Sequence, residues 1–168
     1  SNPIDPSTTL GPVVKTSAAD WVRQQIKGAV TQGAKPCVDT TKFHHAAEGT
    51  PYIAPEVLID VDHSMSVMTE ESFGPVVGIM SVGNDEQAIH LMNDSDLGLT
   101  ASLWTQDQSA GEHLGNRLQT GTVFMNRCDY LDPALTWTGV KNTGRGATLS
   151  ELGYQQLTQP KSFHLKNV

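Results

Sequence analysis

Short apolar runs alternate with capped helical segments between residues 75 and 125, and this alternation constrains the fold most. The run 75–82, PVVGIMSV, predicts a strand that is buried on both faces. Asn84 and Asp107 are typical helix N-caps, and a helical pattern of apolar residues follows each. Residues 100–104 and 122–125 predict the next two strands. Because such long crossovers join parallel strands, the sequence predicts an α/β fold with a parallel-rich sheet and flanking helices.

The elements on either side of this region are also marked in the sequence. Residues 17–20, SAAD, predict a capping box, and Gly33 predicts the end of the helix that follows. This helix carries an apolar stripe expected to pack in the core, namely Trp21, Val22, Ile26, Ala29 and Val30. We expect an extended stretch at 52–59, a glycine-rich loop at 139–146 and a short helix at 149–157. Residues 162–166, SFHLK, predict an extended C-terminal strand that pairs at a sheet edge of this chain or of a neighbour.

Charge and cysteine content exclude several classes of function. Eleven basic residues against 18 acidic ones give a formal charge of −7, which argues against a nucleic-acid partner. No apolar run of about 18 residues predicts a membrane span, and no secretory signal is expected. Two cysteines cannot form a disulfide framework, so we expect a reducing, cytoplasmic location with Cys37 and Cys128 as buried or half-buried thiols. The histidines lack metal-ligand spacing, so we expect no metal site.

One segment combines residues with chemical potential. Residues 69–76, TEESFGPV, place two carboxylates and an aromatic ring just ahead of a predicted buried strand. One carboxylate there is able to bind diol hydroxyls, and Phe73 is able to offer a flat face to a planar ring. The alternative is a solvated acidic turn with Phe73 filling the core, and the residue types alone favour that alternative.

The same segment resembles the E-E-x-F-G-P-V signature of the NAD(P)-dependent aldehyde dehydrogenases. Further segments resemble this family in the same order and spacing. They are NPIDP at 2–6, GPV at 11–13, GAK at 33–35, PEVL at 55–58 where the family has P-T-V-L, the stretch from Asn93 to Ser102, GTV at 121–123 with Asn126, GVK at 139–141 and GRG at 144–146. The resemblance therefore covers nearly the whole chain.

The resemblance assigns roles to individual residues. It implies that Glu71 binds the nicotinamide-side ribose hydroxyls and that Phe73 packs near the nicotinamide. It also implies that Asp129, Leu131 and Trp137 form walls of the substrate pocket, with a core indole as the less favoured alternative for Trp137. The cofactor implied is NAD or NADP, and the substrate implied is a small-molecule aldehyde.

The resemblance also implies what lies outside this chain. In the family, a cysteine thiolate adds to the aldehyde, hydride leaves to the cofactor, and a glutamate activates water to hydrolyse the thioester. Those two residues and the dinucleotide-binding domain would lie upstream, so the isolated chain is expected to be inactive. Residues 1–158 would be part of the catalytic domain, and residues 159–168 an oligomerisation strand of a homodimer or homotetramer.

Two other interpretations remain open at this point. The chain is also interpretable as a stand-alone, non-catalytic α/β module that binds a ligand or takes part in assembly. A third hypothesis is a thiol-dependent enzyme that uses Cys128 as its nucleophile.

Overall fold

Helices and short strands alternate along the chain, and the computed structural model describes them over residues 2–128 and 130–167. The elements of residues Ser1–Ser81 are α1 (Thr16–Thr31), β1 (Lys35–Pro36), a 3₁₀ helix (Thr40–Lys42), β2 (Glu56–Ile59), α2 (Ser66–Thr69) and β3 (Val76–Ile79). Those of residues Val82–Val168 are α3 (Asp85–Asn93), β4 (Leu97–Gly98), β5 (Thr100–Leu103), α4 (Gln108–Gly115), β6 (Thr122–Met125), β7 (Val140–Lys141) and α5 (Ser150–Gln156). These two ranges are separate compact units, described in turn below.

The sheet of the first unit has the order β1-β2-β3. β2 and β3 are parallel, and β1 is antiparallel to β2. Leu58 of β2 is fully buried in a cluster with Ala29 of α1 and with Val61 and Met65. The parallel pairing confirms the predicted α/β class, and the core lies between the sheet and α1.

The other face of the β2–β3 pair is open. Val57 pairs in register with Val77, and Ile59 with Ile79, so these four β-branched side chains share one face. Val77 is 52% exposed and Ile79 is 54% exposed. The predicted burial of this strand on both faces is therefore wrong for the residues that the structure describes.

The start of α1 differs from the prediction. The helix begins at Thr16, and Lys15 occupies the N-cap without a side-chain hydrogen bond. Ser17 thus lies inside the helix, and the Asp20 carboxylate accepts from Arg23 at 2.8 Å instead of capping a backbone N–H. The predicted end is confirmed, because Gly33 follows the helix with a φ of +112° that favours glycine.

The second unit contains the predicted strand–helix–strand segment. β5 and β6 pair in parallel through the crossover helix α4. Asn84 accepts from the Gln87 N–H at 2.9 Å, and Asp107 accepts from the Ala110 N–H at 3.0 Å, so both predicted N-caps are confirmed. α4 ends at Gly115, and turns connect it to β6.

The helices of this second unit are tied together by a bidentate ion pair. The Nη1 atom of Arg117 lies 2.6 Å from Oε1 of Glu86, and the Nη2 atom lies 2.6 Å from Oε2. This hydrogen-bonded contact lowers the pKa of the Glu86 carboxyl below its ordinary value. The pair links the first turn of α3 to the turn that follows α4. No helix in the described residues is both long and apolar enough to cross a bilayer.

The C-terminal segment confirms one expectation and corrects another. The predicted helix at 149–157 is present as α5. Within the described part of the chain, residues 158–167 form no strand and are exposed, so the expected strand at 162–166 is not formed within the chain itself. A strand requires a hydrogen-bonded partner, and pairing with a neighbouring subunit stays a prediction.

Glu56 explains one departure of this sequence from the pattern of the family it resembles. Its side chain is only 5% exposed, and its Oε1 atom accepts from the backbone N–H groups of Cys37, Val38 and Val57 at 2.9–3.1 Å. The carboxylate therefore fastens the segment after β1 to β2.

Replacing Glu56 by glutamine should lower the free energy of unfolding by about 1–3 kcal/mol, because hydrogen bonds to a charged acceptor become bonds to a neutral one. Urea unfolding measures the change. Glu48→Gln removes an exposed carboxylate of the same kind and should leave stability unchanged. Equal stability of the two variants would contradict the role given to Glu56.

Candidate functional site

The loop 70–74 joins α2 to β3, and its two ends are held by backbone hydrogen bonds. The Glu70 N–H donates to the Ser66 carbonyl at 2.8 Å, which closes α2. The Glu56 N–H donates to the Pro75 carbonyl at 2.9 Å, which fixes the entry into β3. The course of the loop backbone is therefore set by a helix on one side and a sheet on the other.

The side chains of Glu71 and Phe73 project from this loop into solvent. Phe73 is 83% exposed and has a φ of +48°, a region in which a bulky residue is an outlier. The interpretation that Phe73 fills the core is therefore wrong. Glu71 is exposed, and no side-chain hydrogen bond or ion pair engages its carboxylate within the described residues. An accepting carboxylate and a flat ring are thus presented two residues apart, which fits a diol attached to a planar ring.

Helix α1 also contacts this loop, through residues that the sequence did not single out for this purpose. The Trp21 indole N–H donates to the Glu71 carbonyl at 3.2 Å. The Gln25 amide donates to the carbonyls of Ser66 and Glu70, each at 3.4 Å. The one feature of the sequence that could have indicated these contacts is Gln25, a polar residue three positions after Val22 inside the apolar stripe of the helix.

In the second unit, Trp137 lies beside a cavity of about 130 Å³. Phe124, Tyr130 and Leu135 also line it, and Trp137 pairs with Thr148 through two backbone hydrogen bonds of 2.8 and 2.9 Å. Leu131 is more than half exposed. Asp129, the third predicted wall residue, lies outside the described residues. A cavity of this size is smaller than typical ligand pockets of about 300–1,000 Å³.

Asn126 holds the turn at which this wall segment begins. Its side-chain amide donates to the Thr105 carbonyl at 2.7 Å and accepts from the Thr105 N–H at 3.0 Å. Its φ of +55° lies in the left-handed region that asparagine tolerates better than most residues. The sequence contained Asn126 in a motif, but only the structure gives it this function.

The two cysteines are free thiols, and both are exposed. The expectation that they are buried or half-buried is therefore wrong. Neither thiol is part of a group of three or more His, Cys, Asp or Glu side chains able to hold a metal, since the described residues contain no such group.

Comparison with known proteins decides the family. The profile of the "Aldehyde dehydrogenase family" matches residues 1–163. The chain belongs to the aldehyde dehydrogenase family. One relative in this family is the NADP/NAD-dependent aldehyde dehydrogenase PuuC of Escherichia coli, which is 34% identical over 96% of this chain and 32% of its own length. Another is the NADP(+) succinate-semialdehyde dehydrogenase of Deinococcus radiodurans, 32% identical over 95% of this chain and 33% of its own length.

Solved aldehyde dehydrogenase structures show the same fold. The succinic semialdehyde dehydrogenase of Streptococcus pyogenes, solved with NADP+, matches 97% of this chain and 35% of its own with a TM-score of 0.84 at 30% identity. An indole-3-acetaldehyde dehydrogenase solved with NAD+ matches 97% of this chain and 33% of its own with a TM-score of 0.85 at 30% identity. The chain spans about a third of the length of the aldehyde dehydrogenase relatives that it matches.

Proposed function

We propose that this chain forms the cofactor-positioning part of an NAD(P)+-dependent aldehyde dehydrogenase that oxidises an aldehyde to a carboxylic acid. The single observation that carries this proposal is the loop 70–74, whose ends are fixed while the Glu71 carboxylate and the Phe73 ring are open to solvent. Membership of the aldehyde dehydrogenase family supports it.

In this proposal Glu71 and Phe73 contact different parts of the cofactor, NAD or NADP. The Glu71 carboxylate accepts hydrogen bonds from the hydroxyls of the nicotinamide-side ribose, and charge-assisted bonds of this kind are strong. Phe73 offers its ring as a surface against the nicotinamide. When bound, the cofactor supplies the acceptor for the hydride that leaves the substrate. The contribution of this chain is therefore orientation of a reactant, which is a large part of the catalysis of bimolecular steps.

The second unit contributes the substrate wall in this proposal. Leu131 and Trp137 lie on a segment that Asn126 fixes at one end, and Asp129 stays a candidate from the resemblance alone. The neighbouring cavity is small and in part apolar, as expected for one side of a passage to a small-molecule aldehyde. The nucleophilic cysteine, the general-base glutamate and the dinucleotide-binding domain belong to an upstream part of the same enzyme.

We also propose an assembly and a cellular location for the enzyme. Residues 159–168 act as an oligomerisation strand in a homodimer or homotetramer, because the described part of this segment is exposed and without a partner strand in its own chain. The two free thiols favour a reducing compartment, the cytoplasm.

The open apolar face of β2 and β3 favours a second candidate function, that of a non-catalytic assembly module. Parallel strands are normally covered on both faces, and here Ile59, Val77 and Ile79 are exposed within the described residues. If the chain is part of an enzyme, as proposed above, the upstream part of that enzyme covers this face.

Turnover assays separate the two candidates. The 168-residue chain with NAD+ or NADP+ and a series of aldehydes should give no NAD(P)H, because the nucleophile is elsewhere. The full-length polypeptide that contains these residues should give NAD(P)H under the same conditions. Turnover by the isolated chain would overturn the assignment of the nucleophile, and an inactive full-length polypeptide would favour the assembly module.

A further inference from the structure

We propose that Trp21 is a positioning residue for the cofactor: its indole N–H fixes the peptide group of Glu71 and thereby the direction of the Glu71 carboxylate. The inference rests on the proposed function for the cofactor, but the contact on which it stands involves only residues of the first unit.

Trp21 and Gln25 act from the same side of α1. They are four residues apart, so their side chains lie one above the other on one helix face. Gln25 binds the Glu70 carbonyl, and Trp21 binds the next carbonyl along the chain, that of Glu71. Two consecutive peptide groups of the loop are therefore held by one rigid element.

The same helix face supports the far end of the loop. Val22 is fully buried, and a Cβ atom added to Gly74 would lie 2.7 Å from the Val22 Cγ2 atom. The loop therefore packs so closely on α1 that a side chain at residue 74 would push the loop away from the helix. Phe73, between these contacts, has the left-handed backbone described above.

Trp21 differs from its two neighbours in what its loss would change. Gln25 and Val22 are buried, so their replacement disturbs the core itself. Trp21 is 37% exposed, and its hydrogen bond is the described contact that holds the Glu71 peptide. Removing only this N–H leaves α2, β3 and the Gly74 contact in place while the Glu71 peptide gains freedom to rotate. The consequence should be poorer cofactor binding without loss of the fold.

Trp21→Phe tests this, because it keeps an aromatic side chain and removes the donor. Trp104→Phe is the matched control, since Trp104 is exposed and lies in the other unit. In the full-length protein without ligand, the NMR backbone order parameters of residues 71–73 should fall in Trp21→Phe from about 0.85, the value of rigid backbone, toward 0.6 or below. The KM for NAD(P)+ should rise roughly three- to tenfold, the range that one ordinary hydrogen bond gives, with the aldehyde KM unchanged and the thermal midpoint lowered by no more than a few degrees. Trp104→Phe should change none of these quantities.

The two measurements fail in distinguishable ways. Wild-type order parameters at residues 71–73 in Trp21→Phe would overturn the inference, whatever the kinetics. Equal increases in the KM values of cofactor and aldehyde would also overturn it, since they indicate a general disturbance. Absence of turnover in the wild-type protein would overturn the proposed function, and the order parameters alone would then still decide whether Trp21 orders the loop.

Discussion

Glu71→Gln in the full-length enzyme should raise the KM for NAD(P)+ by roughly ten- to a hundredfold, equivalent to about 1.5–3 kcal/mol of lost hydrogen bonding to a charged group. The glutamine side chain keeps the size of the glutamate but has no charge and one acceptor fewer for the ribose hydroxyls. Because Glu71 is exposed, the substitution should leave the fold intact. Steady-state kinetics with the cofactor varied at saturating aldehyde measures the effect.

Glu70→Gln provides the matched control for this experiment. Glu70 is also exposed, and its described interactions with α1 and α2 use its backbone groups. Its carboxylate should therefore be dispensable, with cofactor kinetics close to those of the wild type. Wild-type kinetics in Glu71→Gln, or an equal loss in both variants, would refute the role of Glu71 in holding the ribose.

Gly121→Ala should lower the free energy of unfolding by about 3 kcal/mol or more, at the upper end of the effects of overpacking. A Cβ atom at this position would lie 1.7 Å from the Thr138 carbonyl oxygen and 3.2 Å from the Gly139 Cα atom. Both are backbone atoms, so no side chain is able to move aside. The chain around Thr138 would have to shift, and Trp137 of the proposed substrate wall would shift with it. Urea unfolding and the aldehyde KM measure the two consequences.

Gly28→Ala distinguishes this clash from a general effect of replacing glycine. Gly28 lies inside α1, and a Cβ atom there meets nothing within 4 Å. Alanine at this position should stabilise the protein by about 0.5–1 kcal/mol, because glycine is the poorer helix former. Similar stabilities of the two variants would show that the close approach at Gly121 does not exist in solution.

The features predicted well from the sequence are those set by neighbouring residues. Asn84 and Asp107 cap their helices because a short side-chain oxygen reaches an N–H group three residues later, whatever the rest of the protein does. The capping box at Ser17 failed for an equally local reason. The helix begins earlier than this box requires, and Arg23 takes the carboxylate of Asp20.

Features that depend on distant or absent partners were not predictable in this way. The apolar run that contains β3 predicts burial on both faces, but Val77 and Ile79 are about half exposed, since none of the described residues covers them. The C-terminal segment likewise has strand-forming residues without a partner strand in the described chain. An apolar pattern indicates that side chains favour burial, but it does not indicate which part of a protein buries them.

In the candidate site, too, local features were predictable from the sequence and contacts with distant residues were not. The types of Glu71 and Phe73 indicated what they could bind, but residue types alone favoured a solvated turn, and the family resemblance supplied the assignment. The contacts of α1 with the loop 70–74 were not predicted. Trp21 belongs to an apolar stripe and Gln25 interrupts it, but neither fact indicates a hydrogen bond to a loop some 50 positions away in the sequence. Such contacts follow from the tertiary structure.

The left-handed backbone of Phe73 has a consequence for directed evolution. A non-glycine residue in this conformation costs roughly 1–3 kcal/mol, and an 83% exposed ring recovers little of this by burial. A library of variants selected only for heat resistance would therefore accumulate glycine or asparagine at residue 73 and lose the ring that we propose packs against the cofactor. A selection that also demands turnover should retain the aromatic side chain. The residue found at position 73 should therefore differ between the two selections.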